Sequence, residues 1–336
     1  MTRSTGDAPQ VSGVWAWRVW LGAALLFTCE VLLWRDVAGH SAGTWLALAG
    51  GYVLVASLAL DLVVRYRIRD AVGFMALAVI VSALVALLLT PHSTLTVMPE
   101  HLFSRVLGAY GVMALSAFGL LALMWGGAAG RLRWVALAYA TAGGLLVGVW
   151  AHSAHELSAW SATAATLEGL IGWNLAGGAG LAVGGAGLAR RERPAAEALC
   201  FAGRGWAIIG LLIALIVFAG IATERYQGAE LTGAGGLALV GWLALWFEHN
   251  AKSRPIFDRM RPRIPPAASY MALLLLLYGG GLWAGWHVPV DTVDGLPPVT
   301  VLELGFVALG FGWLPVLSVW IAARALERES RKINPF

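Results

Sequence analysis

The sequence predicts an all-α protein, a bundle of about ten helices that cross a membrane. Three observations predict this fold class. The 336 residues are 59% hydrophobic and 12% charged, whereas a soluble domain is typically about 25% charged. Apolar runs of about 20 residues, the length that crosses a bilayer, recur along the whole chain. Arginine and lysine are concentrated in alternate connections, which is typical of a multi-pass membrane protein.

Each apolar run is expected to form one helix, because every backbone polar group in hydrocarbon needs an internal hydrogen-bond partner. The first run is too long and has the wrong flanks for a cleaved signal peptide. No linker is long enough for a soluble domain, so residues 1–336 are expected to form a single membrane domain. The spans are predicted at roughly 15–34, 43–64, 71–90, 104–126, 132–151, 163–189, 205–222, 231–247, 267–286 and 301–323.

The distribution of positive charge predicts the orientation of the chain. Of the 23 Lys and Arg residues, 19 lie in the set of connections that includes both termini. The opposite loops hold Arg35, Arg105 and Arg225, and Arg18 lies within the first span. Cytoplasmic loops are enriched in Lys and Arg, so both termini are predicted to be cytoplasmic, in the inner (plasma) membrane. The same distribution explains the net charge of +4 without a nucleic-acid partner.

This orientation places six of the seven histidines at the outer face. Two carboxylates, Glu30 and Glu168, fall in the outer parts of predicted spans 1 and 6. Carboxylates inside spans are costly and usually face a cavity or a partner. Asp61 lies one helical turn from Arg65, so we expect those two residues to form an ion pair.

The stretch around His152, His155 and Glu156 is the main candidate site. On a continuing helix these side chains share one face. Two imidazoles and a carboxylate suit a transition metal, proton exchange with a quinol, or a solvated loop. Of the two ligand hypotheses we favour the quinol and predict no metal ligands. Cys29 and Cys200 lie far apart, which argues against a zinc knuckle or a cysteine-ligated iron–sulfur cluster.

Further residues complete the predicted site. Glu168 joins the three residues above as a proton-handling group, and its neighbour Asn174 should lie on a different helix face. A haem near His152 and His287 is a second possibility, although all six outer histidines are expected close to the surface. The residues predicted to contact the quinone are His92, His101, Trp150 and His287.

Similar small-residue patterns recur four spans apart and suggest an internal repeat. Leu48-Ala49-Gly50-Gly51 in span 2 matches Leu175-Ala176-Gly177-Gly178 in span 6. Span 5 ends with Gly148, Trp150 and His152, and span 9 ends with Gly285, Trp286 and His287. Members of such pairs run in the same direction. We therefore predict two parallel four-helix units, residues 43–152 and 163–287, with one flanking helix at each end.

This layout resembles the NrfD/polysulfide-reductase (PsrC-type) family of membrane subunits. The Gly/Ala-rich stretches 48–51 and 175–180 resemble that family's first core helix, and Pro91-His92 falls where the family often has a polar loop. The resemblance implies a quinone/quinol site near the outer face. It also implies a peripheral iron–sulfur or cytochrome subunit as partner, alongside other membrane subunits and the lipid bilayer.

Three classes of function compete at this point. The first is the quinone-interacting membrane subunit of a respiratory oxidoreductase. The second is a ten-helix secondary transporter, although transporters usually carry broken helices and polar groups at the midplane. The third is a membrane enzyme or assembly factor that handles haem, copper or lipid.

Overall fold

A computed structural model describes residues 8–126, 131–154, 163–191, 194–226, 228–249, 255–259, 268–288 and 298–333. Within these ranges the regular secondary structure is entirely helical, which confirms the predicted all-α class. The α-helices are α1 (Ala8–Leu26), α2 (Ala42–Arg65), α3 (Ala71–Leu88), α4 (Pro91–Thr94), α5 (Gly111–Gly126), α6 (Arg131–Ser153), α7 (Leu167–Ala189), α8 (Gly203–Ala222), α9 (Gly228–Glu248), α10 (Ile256–Arg259), α11 (Ala268–Trp286) and α12 (Pro298–Ile333). A π-helical turn, Phe27–Val31, continues α1, a longer π-helix, Leu102–Tyr110, leads into α5, and a 3₁₀ turn covers Ala196–Leu199.

Eight helices of the described chain are long and apolar enough to cross a membrane. They are α1 with its π-turn, α2, α3, the π-helix with α5, α6, α8, α9 and α12. The protein is therefore a polytopic membrane protein in a lipid bilayer. Helices α7 and α11, with 23 and 19 residues, occupy the other two predicted spans. These two helices are not among the eight, so they remain predicted spans.

Exposed apolar surface on α8 shows why the fold needs lipid. Ile208, Leu211 and Leu215 are more than half exposed, and Phe218 is 69% exposed. A continuous face of exposed large apolar side chains is rare on soluble monomers and marks interaction with a membrane or a partner. The exposed face of α8 is accounted for by contact with acyl chains.

The chain folds into two compact units, and the division falls inside α2, α5 and α12. The first unit comprises Met1–Ala56, Ser116–Ala198 and Met260–Glu303. The second comprises Ser57–Leu115, Leu199–Arg259 and Leu304–Phe336. These boundaries follow packing and are a different property from the predicted repeat units 43–152 and 163–287, which remain a prediction.

In the first unit, α1 packs antiparallel to α7 through large side chains set against glycine. The Trp34 ring approaches Gly169, the Phe27 ring lies over Gly177, and the Trp20 ring lies against Gly184. The Trp20 indole N–H also donates to the Leu181 carbonyl at 3.0 Å. A small cluster then ties the end of α1 to α6, α7 and α11, and its buried members are Trp34, Val37, Val147, Ala151, Leu170 and Leu282.

Helices α6 and α11 form the closest pair of this unit, and they run parallel. Four glycines allow their backbones to touch, because a Cβ atom at each would collide with a carbonyl oxygen of the other helix. The collisions would be Gly144 with Tyr278, Gly148 with Leu282, Gly281 with Thr141 and Gly285 with Leu145. Two small residues spaced by four are the membrane motif for close helix approach.

The contacts of this pair are reciprocal. Gly144 faces Tyr278 and Leu282, while Gly281 faces the corresponding residues Thr141 and Leu145. Such contacts are those of a local two-fold axis along the two helices. In this contact register Gly148 corresponds to Gly285, while the repeat itself remains a prediction. Trp150, however, corresponds to His287 rather than to Trp286, one residue away from the predicted pairing.

The second unit is built around α3, α9 and the π-helix. Gly241 of α9 lies against the backbone of Ala76 in α3, and the Phe103 and Phe311 rings stack with centroids 4.0 Å apart. Asp70 caps α3 by accepting from the Gly73 N–H at 3.0 Å. The predicted Asp61–Arg65 ion pair is present at 2.9 Å, and Asp61 also accepts the Phe201 N–H.

Candidate functional site

The end of α1 carries two departures from regular helix. In the π-turn Phe27–Val31 the Leu32 N–H reaches back to the Phe27 carbonyl at 3.0 Å. The chain then reverses with Trp34 in the left-handed region at φ 50°, and the Arg35 N–H bonds the Glu30 carbonyl at 3.0 Å. This is the hydrogen bond of a Schellman helix end, where glycine is usual. A tryptophan in this conformation costs about 1–2 kcal/mol. Burial of Trp34, which is 2% exposed in the cluster described above, offsets that cost.

The π-turn and the reversal bring three polar side chains together. The Glu30 carboxylate is fully buried and accepts the Tyr52 hydroxyl at 2.7 Å. Arg35 donates to both carboxylate oxygens, at 3.0 and 3.3 Å. Removing a carboxylate from water costs several kcal/mol unless it is paired and hydrogen-bonded. This site meets both conditions.

Two further contacts hold the reversed segment in place. The Trp150 indole N–H donates to the Leu33 carbonyl at 2.6 Å, and Thr163 donates to the Asp36 carboxylate at 2.9 Å. Trp150 lies near the end of α6, and Thr163 lies just before α7. The segment that carries Arg35 is therefore fixed from both sides. Pre-organised side chains of this kind are characteristic of functional sites.

A groove of about 880 Å³ runs between α1 and α7 on the other side of the π-turn. Phe27 and Val31, which flank Glu30 in the chain, line it together with the glycine-rich face of α7. Its volume lies within the range of about 300–1,000 Å³ usual for small-molecule pockets, and its walls are apolar. The groove is open rather than enclosed.

An aromatic pair forms one end of the groove. The Trp45 and Trp173 rings stack with centroids 5.5 Å apart and planes 23° apart. The His40 ring meets the Trp45 ring edge-on at 5.2 Å. Flat aromatic walls suit the face of a planar ring.

Several predicted site residues lie in this unit but make contacts of their own. His152 is exposed, and its ring meets the Trp286 ring at 4.5 Å. His287 is also exposed, and its Nδ1 lies 2.8 Å from the Trp283 carbonyl. Glu168 is exposed in the first turn of α7, whereas Asn174 is 1% exposed, which confirms that they occupy different faces.

Trp150 is buried, and its indole N–H donates to the Leu33 carbonyl. His155 and Glu156 lie outside the described residues. The described part of helix α6 extends to Ser153, so their alignment with His152 stays a prediction.

Two of the predicted site residues, His92 and His101, belong to the second unit. His92 is exposed on α4, but His101 is 6% exposed, so the expectation that every outer histidine lies at the surface is wrong. Its Nδ1 accepts the Val97 N–H at 3.2 Å and lies 3.1 Å from the Thr96 hydroxyl. Burial and the neighbouring Arg105 lower the pKa of His101 to about 4, so the ring is neutral at neutral pH.

Arg105 also differs from expectation. It is counted with the outer-loop cations although the predicted span 104–126 contains it, and it is 4% exposed within the π-helix, where its guanidinium donates to the Ser93 carbonyl. A π-helix shifts the residues after it around the helix axis, and such segments are frequent at functional sites. No residue pattern marks either π-segment in the sequence.

The sequence does not predict which residues pair with Glu30. Glu30 itself is identifiable as a carboxylate within an apolar run, and Arg35 lies five residues on. Tyr52 belongs to another helix, and nothing in its local sequence distinguishes it from an interfacial tyrosine.

Among the described residues, no group of three or more His, Cys, Asp or Glu could hold a metal ion. Comparisons with protein-family models, with curated proteins and with solved structures each find no match to this chain.

Proposed function

We propose that this protein is the quinone-interacting membrane subunit of a respiratory oxidoreductase complex. The observation that carries the proposal is the buried Glu30 carboxylate, set in a π-turn whose first and last residues, Phe27 and Val31, line an open apolar groove. A quinol is apolar enough to reach its site through the lipid, and it must lose protons when it is oxidised. The apolar groove and the nearby buried carboxylate at the end of α1 support the proposal on both points.

Each side chain has a role in this proposal. The Trp45–Trp173 pair provides flat walls for a ring that enters the groove. Glu30 does not itself line the groove, and it is the proposed proton acceptor because it is a buried carboxylate next to the groove-lining Val31. Carboxylates positioned by hydrogen bonds act as general bases. The Tyr52 hydroxyl orients the carboxylate, and Arg35 neutralises its charge between proton transfers.

In this proposal the Glu30 carboxylate carries the proton, while the Arg35 guanidinium stays protonated and supplies the counter-charge. The Glu30 side chain is 0% exposed, while the Arg35 side chain is 15% exposed. The pair therefore reaches from the interior to the protein surface at one end of α1. His152 and Glu168, exposed near the ends of α6 and α7, are retained as proposed proton-handling residues outside this pair, together with His155 and Glu156.

The chemistry requires partners. When a quinol becomes a quinone, it releases two protons to water, of which Glu30 accepts one on the way, and both electrons pass to a redox subunit. The resemblance to polysulfide-reductase membrane subunits supports a peripheral iron–sulfur or cytochrome subunit as that acceptor. The positive-charge bias supports ten spans in the inner membrane, with both termini cytoplasmic and the Glu30 site at the outer face.

Purification from the native membrane tests this function. We expect a co-purifying redox subunit, a bound quinone in the lipid extract, and labelling of α1 or α7 by a photoreactive quinone. In that complex Glu30→Gln keeps the hydrogen-bonding shape but cannot take up a proton. It should lower quinol oxidation at least tenfold while photolabelling persists.

Glu329→Gln, in the C-terminal part of α12, is the matched control and should leave the rate unchanged. A lone protein without quinone or redox partner would contradict the proposal. Unchanged quinol oxidation in Glu30→Gln would remove Glu30 from the mechanism.

A further inference from the structure

One end of the α1–α7 groove carries a charge that the quinone proposal leaves unused. Arg191 follows α7 directly and lines the groove, and it is the charged residue among the described lining residues. Its neighbour Arg190 is also exposed but does not line the groove. The aromatic pair Trp45–Trp173 lies at the opposite end, near the start of α7.

The groove is as long as the membrane is thick. From Trp173 to Arg191 the α7 axis rises about 27 Å at about 1.5 Å per residue, close to the roughly 30 Å of a hydrocarbon core. Trp15 and Val19, each about half exposed, form the α1 rim nearer to Arg191. Tryptophan is typical of the membrane interface, so this end lies where lipid headgroups begin.

Two glycines of α7 leave space in the groove that no side chain fills. Gly180 and Gly187 line the groove, and a Cβ atom added to either would meet no protein atom within 4 Å. Gly184 in the same row is instead covered by the Trp20 ring. The open positions therefore face the groove itself.

We propose that the Arg191 end of this groove binds an anionic phospholipid, with its phosphate on the Arg191 guanidinium and one acyl chain along Gly187 and Gly180. The groove supplies an apolar channel for the chain, and Arg191 supplies the opposite charge for the phosphate. Basic residues at a membrane surface attract anionic lipid by about 1 kcal/mol each. With the predicted orientation the lipid belongs to the inner leaflet. This site does not depend on quinone chemistry.

Native mass spectrometry of the purified protein tests the site with phosphatidylglycerol and phosphatidylcholine as probes. The wild type should retain phosphatidylglycerol preferentially. Arg191→Gln should reduce that preference about fivefold, corresponding to the loss of about 1 kcal/mol. Arg190→Gln is the matched control and should retain the preference, and Arg191→Lys should retain most of it because a point charge still binds phosphate.

A second pair of variants tests the acyl chain. Gly187→Leu places a side chain in the groove and should reduce retention of both phospholipids. Gly172→Leu is its control, because Gly172 is an open position on the same helix that does not line the groove. Thermal melting establishes that each variant is folded.

Three outcomes would overturn the inference. Equal losses in the Arg190 and Arg191 variants would show general surface electrostatics. Unchanged lipid retention in Gly187→Leu would show that no chain lies in the groove. Loss of bound quinone without loss of phospholipid in Gly187→Leu would show that a quinone tail occupies the channel, and this last outcome would leave the proposed function intact.

Discussion

Arg35 is joined to Glu30 twice, through its backbone and through its side chain. The Arg35 N–H bonds the Glu30 carbonyl at 3.0 Å, and the guanidinium bonds the Glu30 carboxylate at 3.0 Å. The backbone bond belongs to the helix end, so the geometry that terminates α1 also aims the arginine at its partner. A buried carboxylate thereby acquires its counter-charge from the next turn of its own chain.

We expect Arg35→Ala to destabilise the protein by about 3–5 kcal/mol, because it leaves the Glu30 carboxylate buried and unpaired. Replacement of both residues, Glu30→Met with Arg35→Met, should recover most of that loss, since apolar pairs often replace buried ion pairs without cost. Thermal unfolding in a mild detergent measures both effects. Arg190→Ala, at an exposed position, is the control. Equal destabilisation by the single and double variants would show that the pair itself does not account for the loss.

The α6–α11 pair predicts a sharp difference between adjacent glycines. Gly144→Ala and Gly281→Ala each drive a methyl group into the backbone of the other helix, and each should lower the melting temperature by several degrees. Gly143→Ala and Gly280→Ala add the same methyl group where no atom lies within 4 Å. These control variants should change the free energy of unfolding by no more than about 0.5 kcal/mol. Similar effects at all four positions would argue against the close parallel packing.

The hydrogen bond from Trp150 to Leu33 should contribute to stability. Trp150→Phe keeps most of the ring but leaves the buried Leu33 carbonyl without this donor, which should cost about 1–3 kcal/mol. Trp134→Phe makes the same change at a position that is 71% exposed and should be nearly neutral. Chemical unfolding of the two variants compares them directly. A smaller loss for Trp150→Phe than for Trp134→Phe would contradict the structural role of this bond.

His101 predicts a pH dependence of stability. Its pKa is about 4 in the folded protein against 6.5 for the free side chain, because burial and Arg105 disfavour the charged ring. The unfolded chain therefore binds more protons between these values, and stability should rise as pH increases from about 4 to 6.5. The Val97 N–H occupies Nδ1 and opposes protonation there.

His101→Gln should flatten this part of the pH profile of the melting temperature, whereas His92→Gln, at an exposed position, should not. A slope that persists unchanged in His101→Gln would assign the dependence to other groups.

Some features of the structure follow from residues that are close together in the sequence. The apolar runs specify helices because the backbone has no other partner in lipid, and a helix covers each run. Asp61 and Arg65 are close in sequence, so helical geometry alone predicts their ion pair. Glu30 is conspicuous in the sequence for the same kind of reason, since a carboxylate in an apolar run is costly.

The site itself was decided by contacts between distant parts of the chain. Tyr52 is 22 residues from Glu30, and Trp150 is 117 residues from Leu33. Periodicity states which residues share a helix face, but not which helix that face meets. The predicted emphasis on His152 and its neighbours followed from local density of ionisable groups, whereas burial singles out the Glu30 carboxylate.

By itself the sequence determined that this chain is a helical membrane protein, because hydropathy and charge bias act along the chain. It also supplied the glycines of α6 and α11 as a pattern. Tertiary structure alone decided that these glycines face one another, that a π-turn lets Glu30 meet Tyr52, and that α1 and α7 together line a groove. Packing fixes these features because they depend on which surfaces meet, a property that no single segment encodes.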